Sequence, residues 1–366
     1  MPEKYIFDSE EENEEERPLG RELRERLRGV RDAGERRTIA GLAREVGKLP
    51  VDVARAALEA GAGLAALSLR AGVDFLREVP AAARVLDAEE LRAWGELGRR
   101  LVMADAETGA AFITAGVGGL AEVPRGARLL LLQVCGRQLS LSTSFALETY
   151  RRGPEVARAV NDAGLLRQVF EVALEVARRS ARHSADFLAA TPKVAARLSA
   201  FDEDNDGGGA VANLDAGAAV EDGRDAAGVE PAGGRVWDAA LGLAGAYAQR
   251  VGGIAADMWA ALPAAIEGLG AGDALRLFRQ SESFLDRGGA AALHVLVSGG
   301  EVLRLVPRAF EEWGELLRTV AGHNNACLVA LARTGPAALR SLSENVTQRG
   351  RAAEVALAVV GATHEV

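Results

Sequence analysis

The 366-residue chain predicts an all-α solenoid, a right-handed superhelix of the HEAT or armadillo kind with about seven repeats of about 37 residues. Three observations predict it. A large residue recurs at Phe75, Phe112, Glu148, Phe187, Met258, His294 and Leu331, at spacings of 37, 36, 39, 71, 36 and 37, the 71 being one period plus an insertion. Five residues after it comes Pro80, Pro192, Pro263 or Pro336, with Pro154 one place later and Val117 and Gly299 in the two remaining repeats. No window sustains the period-two alternation of a half-buried strand.

Each repeat reads as a longer first helix, a break, a second helix and a short third one. The first helix carries an apolar stripe at helical spacing, as Leu91, Trp94, Leu97 and Leu101, and again as Phe310, Trp313, Leu317 and Val320. The breaks stand at Ala104-Asp105, Gly252-Gly253, Gly288-Gly289 and Gly322 to Asn325. The third helix is expected to begin at the proline, whose fixed φ and missing N–H suit a first turn, with Thr191 as N-cap before Pro192. An apolar column follows at Leu86, Val123, Leu198, Leu269, Leu305 and Leu342.

Along the chain, residues 1–16 carry a net charge of −7 and read as a disordered acidic tail around Tyr5-Ile6-Phe7. Residues 17–48, net +5, read as an N-terminal helical cap with Leu23, Leu27 and Val30 on one face. Helical repeats 1–4 follow over 49–201. Residues 202–234 hold eight glycines and a net charge of −8, and read as a disordered acidic, glycine-rich loop. Repeats 5–7 occupy 235–343, and a C-terminal capping helix 344–366. Without its two acidic segments the chain carries a net +6, although its total is −9.

Composition narrows the function classes. Apolar residues make up 49% and aromatics 5%, so alanine and leucine must supply the packing of closely spaced helices. Forty arginines against three lysines fit a high-GC bacterial codon bias. Cys135 and Cys327 are too few for a disulfide framework. The acidic start reads as no signal peptide, and the longest uncharged runs, 14 residues at Thr108–Ala121 and Thr319–Ala332, are too short for a bilayer. The expectation is a cytoplasmic protein with no membrane partner.

The motifs of catalysis and cofactor binding are missing from the sequence: no Walker loop, no H-E-x-x-H, no G-x-S-x-G and no paired C-x-x-C. His183, His294, His323 and His364 are scattered, and His294, in the core column, reads as a hydrogen-bonded core residue. Asp202, Asp204 and Asp206 followed by Gly207 match the opening of a calcium loop, but position 12 is Asn213 where a bidentate Glu is needed. The stretch therefore reads as an acidic linker. No catalytic residue, metal or cofactor is expected.

One column remains. Arg84, Arg158, Arg197, Arg304 and Arg340 fall four or five residues after the proline or at the matching place. Stacked repeats would set such residues about 10 Å apart, the usual helix spacing. They read either as solubilising arginines at helix ends or as a partner-binding ladder for an acidic protein or for the chain's own acidic loop.

The blocks Leu91-Arg92-Ala93-Trp94-Gly95-Glu96-Leu97-Gly98 and Phe310-Glu311-Glu312-Trp313-Gly314-Glu315-Leu316-Leu317, with Asp186-Phe187-Leu188-Ala189-Ala190-Thr191-Pro192, resemble the helical repeats of bacterial NorD-like proteins. That resemblance implies work beside a MoxR-type AAA+ ATPase that remodels or activates metalloenzymes. Those proteins also carry a von Willebrand A domain. Its D-x-S-x-S motif and strand pattern are absent from this sequence, so its metal site does not carry over. The expected function is a non-catalytic scaffold or adaptor, with a MoxR-type ATPase or its client as partner. A nucleic-acid-binding helical-repeat protein is the alternative, opposed by the acidic total and the lack of a basic, aromatic groove.

Overall fold

The computed structural model describes residues 33–206 and 232–345, and among these residues it is all-α: fifteen α-helices, three short 3-10 turns and no strand. The chain divides into two compact units, one running to Ala157 and one from Arg158. The first holds α1 (Ala33–Val46), α2 (Val51–Leu67), α3 (Leu69–Ala82), α4 (Ala88–Ala104), α5 (Ala106–Thr114), α6 (Arg125–Leu139) and most of α7 (Thr143–Val160). The second holds α8 (Ala163–Ala177), α9 (Ala181–Asp206), α10 (Ala232–Val251), α11 (Ile254–Ala265), α12 (Ala271–Ser283), α13 (Gly289–Leu305), α14 (Phe310–His323) and α15 (Asn325–Asn345). The tail 1–16, most of the 17–48 cap, the body of the acidic insertion and the C-terminal cap beyond 345 lie outside the described residues.

Short acidic or hydroxyl side chains start several helices. Asp87 accepts from the amides of Glu89 and Glu90, and the Glu90 carboxylate accepts from the Asp87 amide at 3.0 Å, closing a capping box on α4. Ser68, Asp105 and Asp162 cap α3, α5 and α8 in the same sense. The breaks between paired helices fall at the expected Ala104-Asp105, Gly252-Gly253 and Gly288. Gly252 and Gly288 adopt positive φ, at 64° and 113°, where a side chain would be strained.

The prolines do not start third helices. Pro80, Pro154, Pro192, Pro263 and Pro336 all lie inside α3, α7, α9, α11 and α15, so the local unit is a pair of helices. A proline inside a helix leaves the carbonyl four residues earlier without its intrahelical donor. For Pro154 that carbonyl belongs to Tyr150, and it faces Gly119, where a Cβ would come within 2.6 Å of the oxygen. Thr191, expected to cap a helix, is buried mid-helix: its hydroxyl donates to Phe187 O at 3.0 Å and accepts from Trp259 Nε1 at 3.1 Å. Tertiary burial of the surrounding apolar face carries the helix through the proline.

Within the first unit α2 packs on α3 and α4, and α4 on α5 and α6. Its core is a file of rings: Phe75 stacks on Trp94 at 4.7 Å, Trp94 meets Phe112 at 6.0 Å, and Phe112 meets Tyr150 at 4.6 Å. Tyr150 donates to Gly116 O at 2.7 Å, which satisfies its buried hydroxyl. In this repeat the core position is thus Tyr150, while Glu148 is exposed and paired with Arg152. In the second unit α9, α11, α13 and α15 pack successively side by side, as do α8, α10 and α12. Phe187 stacks on Trp259 at 5.0 Å between α9 and α11.

Candidate partner-binding surface

The arginine column is best understood from the ends of the helices it serves. The last carbonyls of an α-helix have no intrahelical donor, and the helix dipole makes them electronegative. In the second unit the column runs through Arg197 on α9, a vacant place at Gly268 after α11, Arg304 on α13 and Arg340 on α15. Gly268 lies at φ 72°, and only a residue without a side chain takes that turn without strain. The arginines on either side reach into the gap. Arg197 donates to Ile266 O at 3.2 Å, and Arg304 donates to Ala265 O at 3.3 Å and Glu267 O at 2.8 Å. The C-terminus of α11 is therefore capped from both neighbours.

This divides the five predicted residues by environment. Arg197 is half-buried, with its guanidinium 6.0 Å from the Phe201 ring centre and its Nε buried. Arg304 is exposed at its edge but holds α11 by its tip. Arg340 is exposed and bonded to Glu301 on α13. Arg158, in the last turn of α7, is exposed. In the first unit Arg84 is exposed just beyond α3, and the next place in that unit is Glu122. The arginines near helix ends thus serve a neighbour's carbonyls as much as their own helix, and the column is not uniformly basic.

Other arginines, outside that column, make equivalent ties. Arg100 donates to Gly136 O at 3.1 Å, Arg179 to Gln249 O at 2.6 Å, and Arg128 to Val123 O at 2.8 Å, to Val85 O and to the buried Glu90 carboxylate at 3.4 Å. Arg250 pairs with Asp286 at 2.8 Å, and Arg276 with Glu311 at 3.1 Å. The signal that could have found them is the sign pairing of residues one period apart, such as Glu90 with Arg128 and Arg250 with Asp286.

The residues weighed for chemistry are apart. Cys135 is fully buried and burial pushes its thiol up, while Cys327 is exposed at the start of α15. His294 is half-buried on α13, with no side-chain hydrogen bond among the described residues where a hydrogen-bonded core residue was expected. Burial and then the Arg333 charge hold its pKa below the usual histidine value. The backbone of Asp202, Asp204 and Asp206 continues α9 as helix. No group of three or more His, Cys, Asp or Glu side chains among the described residues is placed to hold a metal ion. Nor is any helix among them long and apolar enough to cross a membrane. Comparison with protein-family models, with curated proteins and with solved structures finds no match to this chain.

Proposed function

We propose that the chain is a non-catalytic protein-binding scaffold, an α-solenoid whose arginine-bearing helix ends hold an acidic protein partner. The observation that supports the repeat reading is the reach of the side-chain hydrogen bonds. Tyr150 to Gly116 and Tyr247 to Ser281 span 34 residues, Arg100 to Gly136 and Arg250 to Asp286 span 36, and Arg125 to Asp87 and Arg318 to Gln280 span 38. Across the insertion, Trp259 to Thr191, Arg197 to Ile266 and Arg179 to Gln249 span 68, 69 and 70. Contacts that recur about one period apart within each unit support a quasi-one-dimensional stacking there. Such stacks present extended surfaces, and binding is their usual work.

The NorD-like resemblance of the Leu91–Gly98 and Phe310–Leu317 blocks adds a direction: the partner is a MoxR-type ATPase or its client, in a maturation or assembly system. Arg84 and Arg158 are the residues to test, because Arg197 and Arg304 also hold α11. Exposed charges contribute little singly but speed and orient encounter with an acidic surface. The purified full-length chain, cross-linked in extract of the source cell, should capture an acidic protein. Capture should weaken above roughly 0.15 M salt, where the Debye length falls to about 8 Å. Arg84→Glu with Arg158→Glu should lower capture about tenfold with helical circular dichroism unchanged. Equal capture by that variant would remove the arginines from the interface, and capture of nucleic acid instead would overturn the reading.

A further inference from the structure

Five large apolar side chains are exposed among the described residues: Val51, Leu67, Met103, Leu141 and Val297. Three of them stand one period apart. Leu67 is followed by Met103 after 36 residues and by Leu141 after 38 more, and their exposures are 46%, 60% and 56%. Leu67 is the last residue of α2, Met103 lies in the last turn of α4, and Leu141 follows the end of α6. All three belong to the first unit.

Packing brings these ends together. Helix α4 lies against both α2 and α6. A Cβ on Gly63 would touch the Arg99 side chain at 3.4 Å, and Arg100 donates to Gly136 O, so both contacts join residues 36 apart. One turn beyond Gly63 and Arg99 come Leu67 and Met103. Leu141 lies in the turn two residues past the end of α6. The three residues therefore stand at the ends of three successively packed helices, for which the usual spacing is about 8–10 Å. In the second unit the same repeat position holds Arg178, Gln249, Asp286 and His323. The apolar row is confined to the first unit.

We infer that this row is a docking edge for an amphipathic helix of a partner protein. The pitch selects the occupant: seven residues of helix advance about 10.5 Å, so apolar side chains at i, i+7 and i+14 meet three anchors about 10 Å apart. Charge selects its flank. On the helix-body side of the row lie Arg99, held by Glu96 and by Met103 Sδ at 3.3 Å, and Arg100 and Arg137. A partner helix with acids beside its apolar stripe is complementary there. The inference rests on the scaffold reading but uses none of its arginine column.

The test uses the full-length chain and a labelled 22-residue synthetic helix with leucine at every seventh position and glutamate along one flank. Fluorescence anisotropy should show saturable binding, at least threefold weaker when lysine replaces glutamate. Binding should fall more than tenfold in the Leu67→Ser, Met103→Ser, Leu141→Ser variant and stay unchanged in Val51→Ser, Val297→Ser. If the triple variant fails to fold, Met103→Ser alone should lower binding at least threefold. Equal binding of a peptide with scrambled leucines, or no loss in the variants, overturns the inference. So does uptake on phosphatidylcholine or phosphatidylglycerol vesicles that depends on the same three residues, which makes the edge a membrane contact. Loss of self-association in the triple variant by sedimentation makes it a contact with a second copy and also overturns it. The Arg84→Glu, Arg158→Glu variant should bind the peptide normally, so failure here and failure of the arginine surface are separately visible.

Discussion

His294 shows how one side chain reports its surroundings. Burial, then the facing Arg333, both disfavour its charged form, so its folded pKa lies below the ordinary 6.5. Between the folded value and about 6.5 the unfolded chain binds more protons, so stability rises with pH through that window and falls as the solution is acidified through it. Arg333→Gln should move the His294 titration upward, by nuclear magnetic resonance of the imidazole, and flatten the pH slope of unfolding. An unmoved titration would show that Arg333 is not felt there. The sequence placed His294 in the core column but gave no sign of this repulsion, because Arg333 lies 39 residues away and acts on it only across packed helices.

At the scale of the element, the N-terminus of α4 concentrates local and tertiary bonding. Asp87 and Glu90 close the capping box, Arg125 bonds Asp87 at 2.7 Å, and Arg128 meets the buried Glu90. Backbone bonding at Glu90, then the Arg125 guanidinium, hold the Asp87 carboxyl below its usual range against its partial burial. Asp87→Ala should cost about 1 kcal/mol, the typical worth of an N-cap. Glu90→Ala should cost about 3 kcal/mol, because it strands the mostly buried Arg128 charge. Adding Arg128→Leu should recover much of that loss. Urea unfolding checks all three, and equal effects of Asp87→Ala and Glu90→Ala would mean the Arg128 pair contributes little. The capping half has a purely local signature, Asp-x-x-Glu before an apolar stripe. The arginine half has none, since local sequence cannot say which residue of a neighbouring helix stands opposite.

For the whole molecule, the insertion is the clearest test of modular packing. Helices α9 and α10 border it and pack on each other, and Arg179, Arg197 and Trp259 tie the helices on its two sides directly. Replacing residues 207–231 with a short Gly-Ser linker should leave helical circular dichroism and melting temperature nearly unchanged. Loop closure changes by only about 0.6 kcal/mol per doubling of length. A large drop in melting temperature would assign the insertion a structural part.

By itself the sequence determined the helical class and the breaks at Ala104-Asp105, Gly252-Gly253 and Gly288, because these follow from apolar spacing and from breaker residues along one chain. Only the tertiary structure decided what the prolines do. A proline at a first turn and one inside a helix look alike in sequence, and burial of the flanking face, as at Thr191 against Trp259, selects the second. It also decided which arginines are partly structural. The vacancy at Gly268 draws Arg197 and Arg304 onto the α11 carbonyls, a pairing set by which helix ends lie side by side. Leu67, Met103 and Leu141 were equally hidden, since each is an ordinary apolar residue until packing leaves it exposed at a helix end.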